Sequence, residues 1–107
     1  MKPIDFNGLD SAVHGPVRLG VLTSLRIDGA LDFTTLKQRL NVVDGVLGAH
    51  LRKLDAIGYI DARKAFVGRR PKTTYRITRQ GRAALSDYLS AMQRLIDAVD
   101  HEADRAG

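Results

Sequence analysis

The fold is decided by residues 44–77, which have the sequence DGVLGAHLRKLDAIGYIDARKAFVGRRPKTTYRI. Leucine recurs at helical spacing through residues 44–56, and this pattern predicts a helix with one apolar face toward a core. The inward residues are Leu47, Leu51 and Leu54. Gly58 is the expected stop, because glycine readily takes the left-handed conformation that ends many helices.

The second part of this stretch predicts a β-hairpin. Residues 59–67 and 73–77 are rich in aromatic and β-branched residues, which favours two strands. Between them, residues 68–72 contain Gly and Pro, the residues that most often mark turns. The stretch therefore predicts a helix that is followed directly by a hairpin.

The residues before this stretch predict two more helices. The first covers about residues 9–27, with Pro16 in the first turn of its main segment. A turn at residues 28–29 leads to a short helix over 34–40, with the hydroxyl of Thr34 as its N-cap. Because only a tight connection separates this helix from the next, the pair predicts a helix-turn-helix, and the hairpin after it is a wing.

A long last helix is predicted over about residues 79–103, with Thr78 as its N-cap. Its apolar residues follow a heptad-like pattern over two heptads. They are Leu85, Tyr88, Leu89, Met92, Leu95, Ile96 and Val99. A small domain has few other elements to cover so long a helix, so we expect these residues to form a homodimer interface. Packing entirely within one domain is the alternative.

The positive charge of the chain is concentrated in residues 63–82, which we call the basic block. It contains eight basic residues and no acidic one, whereas the residues before it balance at seven against seven. The residues after it carry two basic and five acidic side chains. Such a concentration is typical of a surface that neutralises phosphates, although many charge runs are only solvated faces. Its position on a hairpin behind a helix-turn-helix favours nucleic acid.

Four motifs carry a family resemblance. They are His50-Leu51-Arg52-Lys53-Leu54-x-x-x-Gly58-Tyr59-Ile60, Lys64-x-Phe66-x-Gly68-Arg69-Arg70-Pro71-x-Thr73, Thr78-x-x-Gly81-Arg82-x-Ala84 and His14-x-Pro16-x-Arg18-Leu19-x-x-Leu22. Together they resemble the small winged-helix transcriptional regulators, the compact relatives of the MarR, ArsR and PadR groups, over about residues 9–88. The resemblance implies a homodimer on double-stranded DNA, with the third helix in the major groove and the wing along the backbone or minor groove.

The expected fold class is therefore mainly α with a β-hairpin wing, a winged helix-turn-helix with a long C-terminal dimerisation helix. We expect one domain over residues 1–107, with the winged-helix core at about 9–78 and the dimerisation helix at about 79–103. The chain departs from the family at Val43, where relatives usually have a Thr or Ser cap. We expect Asp44 to cap the third helix instead, one residue later.

The third helix supplies the first set of predicted DNA contacts. They are Asp44, Gly45, Val46, Gly48, Ala49, His50, Arg52 and Lys53. Arg52 is the favoured base contact, because a guanidinium can bind guanine O6 and N7 together, with a phosphate contact as the alternative. His50 either contacts a phosphate or packs at the edge of the core. Few other side chains at the start of this helix can hydrogen-bond, which weakens sequence readout there.

The wing supplies the second set. Arg69 and Arg70 are predicted to flank or enter a minor groove, and Lys64, Lys72 and Arg76 to hold phosphates. The alternative is a solvated hairpin whose charges prevent edge-to-edge pairing.

Several other functions are not expected. The chain has no cysteine, which excludes disulfides and thiolate metal sites, and His14, His50 and His101 lie on three different predicted helices. Asp97, His101 and Asp104 approach metal-ligand spacing, but exposed helix polarity explains them more simply. We therefore predict no metal and no cofactor. No phosphate-binding loop or nucleophile elbow is present, so an enzyme is not expected.

The composition favours a soluble cytoplasmic protein, since no apolar run approaches the roughly 20 residues that span a bilayer. The N-terminus also lacks the apolar core of a signal peptide. The predicted function is a homodimeric regulator on a palindromic operator. The rival is a winged-helix adaptor that binds protein rather than specific DNA. A small-molecule effector, which the sequence does not establish, would bind between the dimerising helices and the helix-turn-helix.

Overall fold

The computed structural model describes the backbone of residues 6–106 and the side chains of residues 6–102. The first five residues, on which the expected lack of a signal peptide largely rests, lie outside this range. The elements are α1 (Pro16–Asp28), β1 (Leu31–Asp32), α2 (Phe33–Leu40), α3 (Asp44–Ala56), β2 (Ile60–Val67), β3 (Arg70–Ile77) and α4 (Arg79–Ala106). Four helices and a three-stranded antiparallel sheet in the order β1-β3-β2 form a winged helix.

Helix α1 begins at Pro16, so the prediction of a helix from about residue 9 is wrong for the first seven positions. Gly15 has a φ of 124°, which no α-helix accommodates, and proline at the next position fits a first helical turn. Before it, the backbone makes a single turn in which the amide of His14 donates to the carbonyl of Asp10 at 2.9 Å. Gly29, with a φ of 85°, ends α1 as predicted.

Helix α2 is capped by Asp32 rather than by Thr34. The carboxylate of Asp32 accepts a hydrogen bond from the amide of Thr35 at 2.8 Å. These bonds from Thr35, followed by the charge of Lys72, hold the pKa of Asp32 below its usual value against the effect of burial. Asp32 is also the last residue of β1, a two-residue strand that is too short to produce a recognisable sequence pattern.

Helix α3 has the predicted bounds, but its N-cap is Val43, which makes no side-chain capping bond. Asp44 is the first helical residue, so the prediction that it caps the helix is wrong. Its carboxylate lies 2.7 Å from the Lys37 ammonium of α2. A negative charge in the first turn still interacts favourably with the helix dipole.

The hairpin is longer than predicted, because its turn contains only Gly68 and Arg69. Val67 pairs with Arg70, Phe66 with Pro71, and the ladder continues down to Ile60 opposite Ile77. Gly68 has a φ of 66°, as two-residue hairpin turns require. Consequently Arg70 and Lys72 lie on β3 and not in the loop.

The base of the hairpin is fixed to the start of α4. The Thr78 hydroxyl donates to the carbonyl of Gly58 at 2.6 Å and accepts from the amide of Gly81 at 3.0 Å, which confirms its predicted capping role. A methyl group on Gly81 would lie 2.1 Å from the carbonyl oxygen of Tyr59. Only glycine permits this approach, so the junction sets the direction in which α4 leaves the domain.

The core is built mainly from the inner faces of the helices and the base of the sheet. Its buried residues are Val13, Val21, Leu22, Leu25, Leu36, Leu47, Leu51, Leu54, Ile60, Ile77, Leu85 and Tyr88. Leu85 and Tyr88 are 3% and 2% exposed in the isolated chain, so they have no surface to offer a partner. The predicted interface is corrected at these two positions, because the N-terminal segment and the helical core cover the first half of α4.

Candidate nucleic-acid interface

The outer face of α3 is accessible over its whole length. Of the eight predicted contact residues, Asp44, Gly45, Val46, Ala49, Arg52 and Lys53 are exposed, and Gly48 and His50 are half-buried. The three leucines of the opposite face are buried, which orients the helix as the spacing predicted. The side chains that point outward are short near the N-terminus and basic near the C-terminus.

Arg52 extends back along α3 toward the N-terminal end. A methyl group on Gly48 would lie 3.2 Å from Nη1 of Arg52, tighter than ordinary van der Waals contact. Side chains of a helix point toward its N-terminus, so a residue at i+4 covers the surface of residue i. Gly48, which was predicted as a DNA contact, therefore also leaves room for the guanidinium of Arg52.

His50 lies on the side of α3 that faces α1. Burial, then the positive charges of Arg18 and Lys53, lower the pKa of His50 below its usual value of 6.5. The ring is partly buried, which agrees with packing at the edge of the core, and the phosphate contact stays a prediction. Arg18 was not among the predicted contacts, and its Nε is buried without a hydrogen-bond partner in the described part of the chain.

The wing has two faces, because side chains alternate along each strand and paired residues share a face. The face that begins with the buried Ile60–Ile77 pair continues through Ala62–Tyr75 and Lys64–Thr73 to Phe66–Pro71; we call it the inner face. The other, the outer face, carries most of the charge. Its basic residues are Arg63, Arg70, Lys72 and Arg76. Arg63 belongs to this group although it was not among the predicted wing contacts, and knowledge of the hairpin register would have identified it.

The charge of the wing is partly balanced along β3, and its end carries basic side chains with no ion pair among the described residues. The ammonium of Lys72 lies 3.7 Å from the carboxylate of Asp32, and Asp61 pairs directly opposite Arg76. Lys72 is therefore paired with an acidic residue from outside the basic block. Among the described side chains, no ion pair involves Arg63, Lys64, Arg69 or Arg70.

The inner face of the wing lies next to α3. Burial raises the pKa of Tyr75, the negative charge of Asp55 raises it further, and the positive charge of Arg52 acts in the opposite direction. These two α3 residues thus lie close enough to Tyr75 to affect its ionisation. Helix α3 also packs against β2, so the base-contact candidate and the wing lie on neighbouring elements.

The remaining predicted residues lie elsewhere. His14 hydrogen-bonds through Nδ1 to the hydroxyl of Tyr88 at 2.8 Å, and His101 lies on the last turns of α4, far along the chain from both other histidines. Among the described residues, no group of three or more His, Asp or Glu side chains is arranged to hold a metal ion. No helix in the same range is long and apolar enough to cross a membrane.

The second half of α4 leaves the domain with apolar side chains uncovered. We call Leu89, Met92, Leu95, Ile96 and Val99 the distal apolar patch. Leu89, Ile96 and Val99 are exposed, the last by 68%, and Met92 and Leu95 are half-buried. The N-terminal segment covers the adjacent side of α4, where Arg94 donates to the carbonyl of Asn7 at 3.1 Å.

A helix-turn-helix whose exposed third helix continues into a basic hairpin defines the winged-helix class of DNA-binding domains. The family model for the winged-helix DNA-binding domain matches residues 17–96, and the chain belongs to this family. Protein MJ0432 from Methanocaldococcus jannaschii is 35% identical over 84 residues, which cover 78% of this chain and 91% of that protein.

Solved structures of transcriptional regulators are similar to this chain. The transcriptional regulator homologue from Pyrococcus horikoshii OT3 has a TM-score of 0.79 and 29% identity, and the match covers 87% of this chain and 93% of that one. A putative MarR-family regulator from Enterococcus faecalis V583 has a TM-score of 0.70 and 24% identity, with 89% and 84% of the two chains covered. The winged-helix family that the four motifs predicted is confirmed, and the fold is similar to that of a MarR-family regulator.

Proposed function

We propose that the protein is a homodimeric transcriptional regulator that binds a palindromic operator, with α3 in the major groove and the wing on the backbone and minor groove. The observation that carries the proposal is the exposed outer face of α3 beside the basic wing, where Arg69 and Arg70 have no ion pair among the described side chains. Helix α3 offers few hydrogen-bonding side chains, so the wing supplies most of the affinity and Arg52 most of the base readout.

The dimer is supported by the distal apolar patch. Helix α4 has 28 residues and is therefore about 42 Å long at 1.5 Å per residue. Leu89, Met92, Ile96 and Val99 follow each other at intervals of three, four and three residues, the spacing of a coiled-coil face. A soluble monomer rarely leaves such a contiguous apolar stripe in water. A second copy of α4 would bury it symmetrically.

The symmetry of such a dimer determines the form of the operator. A two-fold axis would carry the two α3 helices to successive major grooves, about 34 Å apart. The bound sequence would then be an imperfect palindrome with half-sites one helical turn apart. Each half-site would present a base pair to Arg52 and a neighbouring minor groove to the wing.

Selection of bound fragments from a random duplex library tests the proposal. We expect enrichment of an imperfect palindrome whose half-site centres are about 10 base pairs apart. Enrichment of no sequence, with the protein still dimeric, would contradict the regulator and favour the adaptor.

Light scattering on a matched pair of variants tests the interface. Ile96→Asp places like charges in the distal apolar patch, whereas Ala98→Asp adds the same charge on an exposed position outside it. We expect Ile96→Asp to dissociate and to lose affinity for the palindrome far more than for one half-site, because two linked contacts become one. A wild-type mass of 11.8 kDa at micromolar concentration would refute the dimer.

A further inference from the structure

The tip of the wing carries an apolar pair that the fold does not use. Phe66 is 76% exposed and lies directly opposite Pro71, which is also exposed. Two pairs, Ala62–Tyr75 and Lys64–Thr73, separate them from the buried Ile60–Ile77 pair on the same face, and neither residue belongs to the core. A solvent-exposed aromatic ring at the end of a hairpin buries no apolar surface on folding. Its position there therefore points to a binding partner.

The surroundings of this pair fit a polyanion. Lys64 precedes Phe66 on the same face, and Arg69 and Arg70 form the end of the hairpin. Among the described side chains no acidic group pairs with any of these three, and the basic block itself contains no acidic residue. An apolar wedge ringed by cations is complementary to a nucleic-acid groove, where phosphates flank the stacked bases.

The pair also points in the appropriate direction. Phe66 and Pro71 lie on the inner face of the wing, the face that begins with the buried Ile60–Ile77 pair, and α3 packs against β2. From Ile60 to Phe66 the chain advances by six residue steps, about 20 Å of strand. Half a turn of B-DNA, which separates a major groove from the adjacent minor groove, is about 17 Å. With α3 in the major groove, the tip therefore reaches the next minor groove.

We propose that Phe66, supported by Pro71, is a wedge that enters the minor groove and partly unstacks one base step, which kinks the duplex. The inference rests on the proposed DNA binding and adds a second source of sequence preference. Pyrimidine–purine steps such as TA and CA unstack most easily, so the operator would favour one of them beneath each wing without a hydrogen bond to its bases. Arg69 and Arg70 would hold the phosphates on either side.

The test uses the full chain and a duplex of about 30 base pairs taken from the selected pool, with donor and acceptor dyes at its ends. We expect wild-type protein to bend the duplex by about 20° or more. In a second duplex, 2-aminopurine at the proposed step should brighten on binding as its neighbour unstacks. Phe66→Ala should abolish both changes and weaken binding roughly tenfold, while Phe66→Leu should retain part of each.

Val67→Ala is the matched control, because Val67 is the adjacent residue, is 64% exposed and lies on the outer face. It should leave bend, fluorescence and affinity unchanged. Tight binding by wild type with no bend and no fluorescence change would overturn the wedge and leave the proposed function intact. A wild type that binds no duplex would instead refute the proposed function. Phe66-dependent binding to phosphatidylglycerol vesicles, with DNA binding unaltered by Phe66→Ala, would also overturn the wedge.

Discussion

Helix α3 and the wing are adjacent in sequence and face the same surface, yet the protein holds them in different ways. Helix α3 is fixed by three leucines that are almost completely buried. In the wing, only the pair at the base, Ile60 and Ile77, is buried, and the other side chains are partly or fully exposed. A rigid helix suits contacts that must match base edges, whereas a charged hairpin suits contacts with a backbone that is alike in every sequence. Under the proposed function, this difference favours base recognition by α3 and backbone affinity from the wing.

The largest effect is expected from removing the support of α3. Leu51→Ala should lower the free energy of unfolding by about 2–5 kcal/mol, because it leaves a cavity beside helices α1 and α3. Val67→Ala at the exposed wing tip should change it by less than about 0.5 kcal/mol. Urea denaturation measures both. Similar decreases for the two variants would show that the wing is packed as firmly as α3.

The second prediction distinguishes base recognition by Arg52 from the sequence-independent attraction of a positive charge on α3. Arg52→Ala should cost about 1–3 kcal/mol on the selected operator and much less on random DNA. Lys53→Ala, its exposed neighbour, should weaken binding to both by a similar factor. Fluorescence anisotropy with the two duplexes gives the four affinities. An equal decrease on both duplexes for Arg52→Ala would identify Arg52 as a phosphate contact.

A smaller effect tests the room that Gly48 leaves for Arg52. Gly48→Ala and Gly45→Ala should each stabilise α3 by up to about 1 kcal/mol, since alanine has the higher helix propensity. A methyl group on Gly48 would crowd Arg52, whereas one on Gly45 has no neighbour within 4 Å. Gly48→Ala should therefore weaken operator binding in wild type but not in an Arg52→Ala background. An effect of Gly48→Ala that persists without Arg52 would show that the methyl group itself meets the DNA.

The smallest effect concerns His50 and pH. Its folded pKa lies below the usual value of 6.5, so the unfolded chain binds the proton more readily. The stability that neutral His50 contributes is present above pH 6.5 and is lost as the pH falls through the folded pKa. NMR titration should give a midpoint below 6.5 for the ring resonance that disappears in His50→Gln. In that variant, the free energy of unfolding should depend less on pH between about 7 and 5. A midpoint at or above 6.5 would contradict the positive, partly buried environment.

The sequence predicted the elements whose patterns are long and regular. The leucine spacing of α3 gave both its bounds and its buried face, and the hydroxyl of Thr78 was identified correctly as a cap. The sequence-based predictions were wrong where a single residue or a contact between distant residues determines the backbone conformation. Gly15 interrupts the expected first helix, and β1 exists only because Leu31 and Asp32 meet β3, far along the chain.

The sequence predicted which basic residues belong to the candidate DNA-binding surface but not how they are arranged on the faces of the wing. The basic block was visible as a run of charges, but which charges share a face depends on the register set by the turn at Gly68 and Arg69. Periodicity also could not divide the apolar residues of α4 between core and surface. The burial of Leu85 and the exposure of Val99 depend on where the N-terminal segment and the helical core end along the helix.

The most direct test of DNA binding by the wing is the salt dependence of affinity, measured by anisotropy on one duplex between about 50 and 200 mM salt. If the dimer neutralises at least six phosphates, log K should fall with log salt by about 5 or more. Replacing Arg69 and Arg70 with Ala should reduce this slope by about 0.9 for each phosphate that the wing no longer neutralises. Arg39→Ala, which removes a charge already paired with Asp28, should leave it unchanged. A wild-type slope near zero would show that the basic wing does not bind DNA, and it would contradict the assignment of affinity to the wing.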